Sequence, residues 1–118
     1  MNEPNKFQEL MMAMGCWKPL NFQQMEKLKS LLQEAGIPFE EDPVFNRSMG
    51  GMGIQYPSKK DCVCDVILHQ GSYGCDVGAL EIMGLLTDEE AEHDSVVGWL
   101  DAEDVFERIR KHYEAGKA

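Results

Sequence analysis

Residues Cys62 to Gln70 constrain the fold more than any other stretch, because their side chains alternate with the period of two that an extended strand produces. Cys62, Cys64, Val66 and Leu68 fall on one face, and Val63, Asp65, Ile67 and His69 on the other. A strand with one apolar face has to bury it, and the flanking sequence supplies helices that can cover it. Phe7, Leu10, Met11 and Met14 recur at helical spacing up to Gly15, which predicts a helix from about Glu3 to Met14. A second helix is expected over Phe22 to Ala35. Asn21 is its N-cap, Gln24 the returning arm of a capping box, and Met25, Leu28, Leu32 and Ala35 its apolar stripe. Gly36 suits a left-handed ending, with Ile37 placed to touch Leu32. Near the other end, Asp101 as N-cap and Asp104 at N3 open a helix whose inner face is Val105, Phe106, Ile109 and Tyr113.

Between the helices the punctuation is that of strands. Ile37-Pro38-Phe39 reads as an edge strand, Phe45 to Gly53 as a glycine-rich loop, and Ile54 to Tyr56 as a short strand. Gly71-Ser72-Tyr73-Gly74 is a turn before a returning strand over Ala79 to Met83. Thr87-Asp88-Glu89-Glu90 is a capping box that opens a short helix, and Val96 to Leu100 a last strand, with Trp99 expected beneath the final helix. The sum is an α+β fold: an antiparallel β-meander of three to five strands packed with two N-terminal helices and one C-terminal helix. At 118 residues this is a single domain large enough to bury a core without covalent staples.

The charge pattern narrows the function. Between Asp61 and Glu107 there is no Lys or Arg, while thirteen Asp and Glu occur there, so the whole net charge of -10 arises in the second half. A surface of one sign steers oppositely charged partners and repels nucleic acid and anionic lipid, which argues against direct DNA or RNA binding and against a membrane surface. No apolar run approaches the ~18 residues that cross a bilayer, and the first residues lack the pattern of a signal peptide, so a cytoplasmic setting with reduced thiols is expected.

Four groups of residues could carry chemistry. Cys62, Cys64 and Cys75, with Cys16 or His69 as a fourth ligand, could be drawn as a zinc site. Sulfurs at i and i+2 on a strand lie roughly 6 to 7 Å apart, however, and do not converge as those of a C-x2-C knuckle do, so inert buried thiols are the simpler reading. His69, Ser72, Tyr73, Cys75 and Glu81 gather near one hairpin, and Cys75 with His69 would form an activated nucleophile. The same residues are what a tight hairpin needs, and no nucleophile elbow is present. Ser48 to Gly53 lacks the Lys and the following helix of a phosphate cradle. Asp88, Glu89, Glu90, Glu92 and Asp94 are dense in acid but do not follow the ligand spacing of a calcium loop. The chain calls for no cofactor.

From Ile67 through Tyr73-Gly74, through Leu80-Glu81-Ile82-Met83-Gly84-Leu85-Leu86-Thr87, and through Val96-Val97-Gly98-Trp99-Leu100-Asp101-Ala102-Glu103-Asp104-Val105-Phe106, the sequence resembles small uncharacterised proteins encoded by phages and prophages of gut Firmicutes. The resemblance covers about residues 60–113 and carries no activity or site. It implies a setting, an accessory protein of a mobile element inside a bacterial cell. The expectation is then a non-enzymatic protein whose Asp88, Glu89, Glu90, Glu92 and Asp94 meet a basic, nucleic-acid-binding host protein. A small enzyme or ligand binder built on the hairpin, and a homo-oligomer paired through sheet edges, are the alternatives.

Overall fold

The computed structural model describes residues 20–42 and 51–117. In chain order the elements are α1 (Gln23–Ala35), β1 (Glu40–Glu41), β2 (Met52–Tyr56), β3 (Cys64–Leu68), a 3-10 turn (Cys75–Val77), β4 (Leu80–Met83), α2 (Asp88–His93), β5 (Val97–Leu100) and α3 (Ala102–Ala115). The five strands form one antiparallel sheet in the order β1-β2-β3-β4-β5, a simple meander. The α+β expectation therefore holds with the sheet at its largest expected size. Of the two expected N-terminal helices, α1 is present; the one expected over Glu3 to Met14 lies outside the described residues.

The alternation read in β3 is what builds the core. Cys64, Val66 and Leu68 are fully buried, and they meet Ile54 and Tyr56 of β2, Leu80 and Ile82 of β4, and the helix faces Met25–Leu28–Leu32 and Ala102–Val105–Ile109. Burying one such side chain stabilises by about 1.5–3 kcal/mol, enough in sum to hold both helices on one side of the sheet. The Tyr56 hydroxyl, inside this core, shares a 2.8 Å hydrogen bond with His112 Nδ1 and so ties β2 to α3.

Helix ends largely follow the expected chemistry. Gly36 is left-handed at φ 70, and the Ile37 N–H donates to Leu32 O at 3.0 Å, the long bond of a Schellman ending that leaves Ile37 buried. Asp101 accepts the Asp104 N–H at 2.8 Å, and Thr87 with Glu90 forms the reciprocal box that starts α2.

Five expectations need correction. Gln24 does not close a box at the start of α1. Its Oε1 accepts the Ala102 N–H at 2.7 Å and joins the beginnings of α1 and α3; the N-cap is Phe22, not Asn21, and Asn21, one residue earlier, accepts the Gln23 N–H at 2.9 Å. The first edge strand is Glu40–Glu41, not Ile37 to Phe39, because Ile37 is committed to the helix ending and Glu40 and Glu41 find partners in Gln55 and Ile54. β2 begins at Met52, inside the expected loop, since Gly51 allows the chain to pass where a Cβ would stand 2.3 Å from Leu68 O. Trp99 does not sit under α3: it is 63% exposed, with φ 62.

Candidate functional site

Three places hold the residues singled out in the sequence. The first is the β3–β4 connection. Ser72 is 5% exposed; its hydroxyl donates to His69 O at 2.9 Å and accepts the His69 N–H at 3.1 Å. His69 Nδ1 donates to Gln70 O at 2.7 Å, and the Tyr73 N–H donates to Glu81 Oε1 at 2.9 Å. Cys75 opens the 3-10 turn and packs partly against the core, while the Tyr73 ring is exposed. The structure thus joins His69 to Ser72 and Tyr73 to Glu81, but through main-chain groups that close the turn. With its hydroxyl engaged at both ends on backbone, Ser72 is a strut. Ser72→Ala is therefore expected to lower stability by about 1 kcal/mol, because the part-buried His69 N–H loses its hydroxyl acceptor while the His69 carbonyl keeps the Ser72 N–H, and a urea melt would read the loss directly.

The second is the cysteines. Cys62 is exposed, Cys64 buried and Cys75 intermediate. Burial first, then the charges of Cys62 and Asp65, push the Cys64 thiol up to about 12. It remains a thiol that donates weakly to Gly84 O at 3.7 Å, the behaviour of a small apolar residue. Among the described residues no three His, Cys, Asp or Glu side chains converge to hold a metal ion. Cys16 lies outside them.

The third is α2. The helix buries none of its residues and stands on the surface. What anchors it is Glu90, whose carboxylate accepts both Arg108 Nη1 at 2.7 Å and Arg108 Nη2 at 2.8 Å while Glu90 Oε1 also accepts the Thr87 N–H at 2.9 Å. The Arg108 guanidinium, followed by the Thr87 N–H, holds the Glu90 carboxyl down at about 2. Arg108 is the hub here: its Nε pairs with Asp104 at 2.6 Å and its Nη1 reaches Leu85 O at 3.1 Å. Of the five acids expected to face a partner, Glu90 is thus engaged inside the molecule. Asp88, Glu89, Glu92 and Asp94 are exposed, and among the described residues none of them is paired with a Lys or Arg. Arg110 is taken by Glu107 and Glu114 of its own helix. No protein-family model, curated protein or solved structure matches this chain. Its function is therefore to be read from local chemistry.

One feature has no counterpart in the sequence patterns. An open groove of about 780 Å³ runs between the Leu85–Thr87 segment and α3, with Leu85, Leu86, Arg108 and His112 on its walls. Leu85 takes a positive φ of 58 there, a conformation that no sequence pattern announces. Among the described residues no helix is long and apolar enough to cross a membrane.

Proposed function

We propose that this protein is a small, acidic, non-enzymatic accessory protein that binds a basic, nucleic-acid-binding protein, its carboxylates standing where phosphates would. The observation that carries the reading is α2: a solvated helix that, among the described residues, is fastened by the ion pair Glu90–Arg108, with Asp88, Glu89, Glu92 and Asp94 exposed. Four carboxylates within one short segment repel one another, and a cationic partner relieves that repulsion. Local helix chemistry accounts for part of the pattern, since Asp88 and Glu89 also favour the positive end of the helix dipole. It does not account for Glu92 and Asp94, which lie at the opposite end, where negative charge is unfavourable. The phage or prophage setting implied by the resemblance supplies a class of target, the DNA- or RNA-binding proteins of a bacterial host.

The test is capture from bacterial lysate at low and at moderate salt, followed by competition with duplex DNA. A retained protein of high pI that the DNA displaces is the expected result. Retention of no basic protein at either salt, or a captured protein that DNA leaves in place, overturns the proposal.

A further inference from the structure

The inner face of β2, β3 and β4 is the core; the outer face carries Asp65, Ile67, Glu81 and Met83. Register sets Asp65 opposite Met83 and Ile67 opposite Glu81, and these four line a small cavity of about 90 Å³. Two carboxylates and two apolar side chains alternate around it. One Asp65 carboxylate oxygen is buried and meets no hydrogen-bond donor, and the same is true of Oε1 of Gln55, its cross-strand neighbour. A buried acceptor without a donor is a cost that a donor brought by another molecule removes. Among the described residues no Lys or Arg pairs with Asp65 or Glu81, and Arg108 is held by Glu90 and Asp104.

Two exposed aromatic residues neighbour Glu81, one of the residues that line the cavity. Between the pairs Leu80–Leu100 and Ile82–Val97, β5 places Gly98 and Trp99 against the single residue Glu81. This bulge turns Val97 and Leu100 toward the core and leaves Trp99 outside, in a left-handed conformation that is unfavourable for a bulky residue. Gly98 is required beside it, since a Cβ there would stand 2.1 Å from Tyr73 Cβ. The Tyr73 carbonyl accepts the Trp99 N–H at 3.2 Å while the Tyr73 N–H donates to Glu81 Oε1, so the backbones of both aromatic residues are tied beside Glu81. Trp99 is 63% and Tyr73 52% exposed.

We propose that this outer face of β3 and β4 is a receptor for one arginine side chain of the partner protein. The aliphatic stem lies along Ile67 and Met83, the guanidinium donates to Asp65 and Glu81, and Trp99 or Tyr73 stacks on its plane. A second copy of this chain is a poor occupant, because two molecules of net charge -10 repel. The proposal rests on the reading of the protein as the binder of a basic partner, and names where one side chain of that partner is held.

The experiment is an NMR titration of the uniformly 15N-labelled full chain with N-acetylargininamide, with its neutral citrulline isostere and the lysine analogue as comparisons. Saturable shifts are expected at Asp65, Ile67, Tyr73, Glu81 and the Trp99 indole, with none from the citrulline compound. Glu81→Gln keeps an acceptor for the Tyr73 N–H and should weaken binding about tenfold, as should Asp65→Asn. Met83→Lys, at a residue 57% exposed, places a cation in the cavity from within and should abolish the titration in a folded protein. No saturable shift, or equal shifts from the citrulline compound, or shifts confined to α2, overturns the proposal. An equal response to the lysine analogue overturns its assignment to arginine. Neutralising Asp88, Glu89, Glu92 and Asp94 should weaken capture of the partner about tenfold or more without disturbing this titration, so the pocket and the acidic segment fail separately.

Discussion

Replacing Gly84 with alanine is expected to lower stability by about 3–5 kcal/mol, a large part of what a domain of this size has. Gly84 follows β4 at φ 102, a conformation open to glycine and strained for any L side chain. Space is the second barrier. A Cβ would stand 2.0 Å from Val63 O and 3.2 Å from Cys64 Cα, and both are backbone atoms that cannot rotate away. Relief would require β3 and β4 to separate where Asp65 pairs with Met83. Gly36 is the control: it has φ 70 but nothing within 4 Å of an added Cβ, so Gly36→Ala should cost only about 1 kcal/mol. Urea midpoints of the two variants measure the difference, and equal losses would contradict the close approach at Val63.

Arg108→Ala is expected to cost about 2–3 kcal/mol and to release α2 from the rest of the molecule. The guanidinium holds Glu90, Asp104 and Leu85 O at once, and its side chain is 17% exposed, so truncation leaves several acceptors without donors in a partly desolvated place. Lysine should recover little, because one ammonium cannot span both Glu90 oxygens. The pH dependence has a definite sign. Glu90 is depressed from an ordinary value of 4.5 to about 2, so its contribution is complete above the ordinary value and disappears as pH falls through the folded one. The stability gap between wild type and Arg108→Ala should therefore be largest near neutral pH and shrink on acidification from about pH 5 to about pH 2. Denaturation at a series of pH values measures it; a gap that widens toward acid would contradict the assignment.

Features encoded within a few residues were legible in the sequence, and those encoded by distant contacts were not. The Thr87–Glu90 box, the Asp101 cap, the Gly36 ending and the alternation in β3 each depend on neighbours that the chain itself brings together. The Asp104–Arg108 and Glu107–Arg110 pairs are of the same local kind, each within about one turn of α3. Gln24 misleads because a capping arm and a bond to Ala102 demand the same amide oxygen, and the second depends on how α1 meets α3. Glu90 misleads likewise: the acids of this segment look alike until Arg108, 18 positions away, selects one. The Glu81–Trp99 adjacency follows from a one-residue bulge between strands, and that register has no local signature.

The central claim is that the Asp88–His93 helix is held by one carboxylate and offers the others to a cationic partner. Its most direct test is the fourfold variant Asp88→Asn, Glu89→Gln, Glu92→Gln and Asp94→Asn, in which the amide oxygen introduced at position 94 can still accept the Ser95 N–H and Glu90–Arg108 is intact. Melting temperature and affinity for the captured basic protein are measured together at moderate salt. The melting temperature should stay within a few degrees of wild type, since only the dipole contribution of two first-turn acids is lost, and binding should weaken by about tenfold or more. Unchanged affinity in a variant that melts like wild type would contradict the claim.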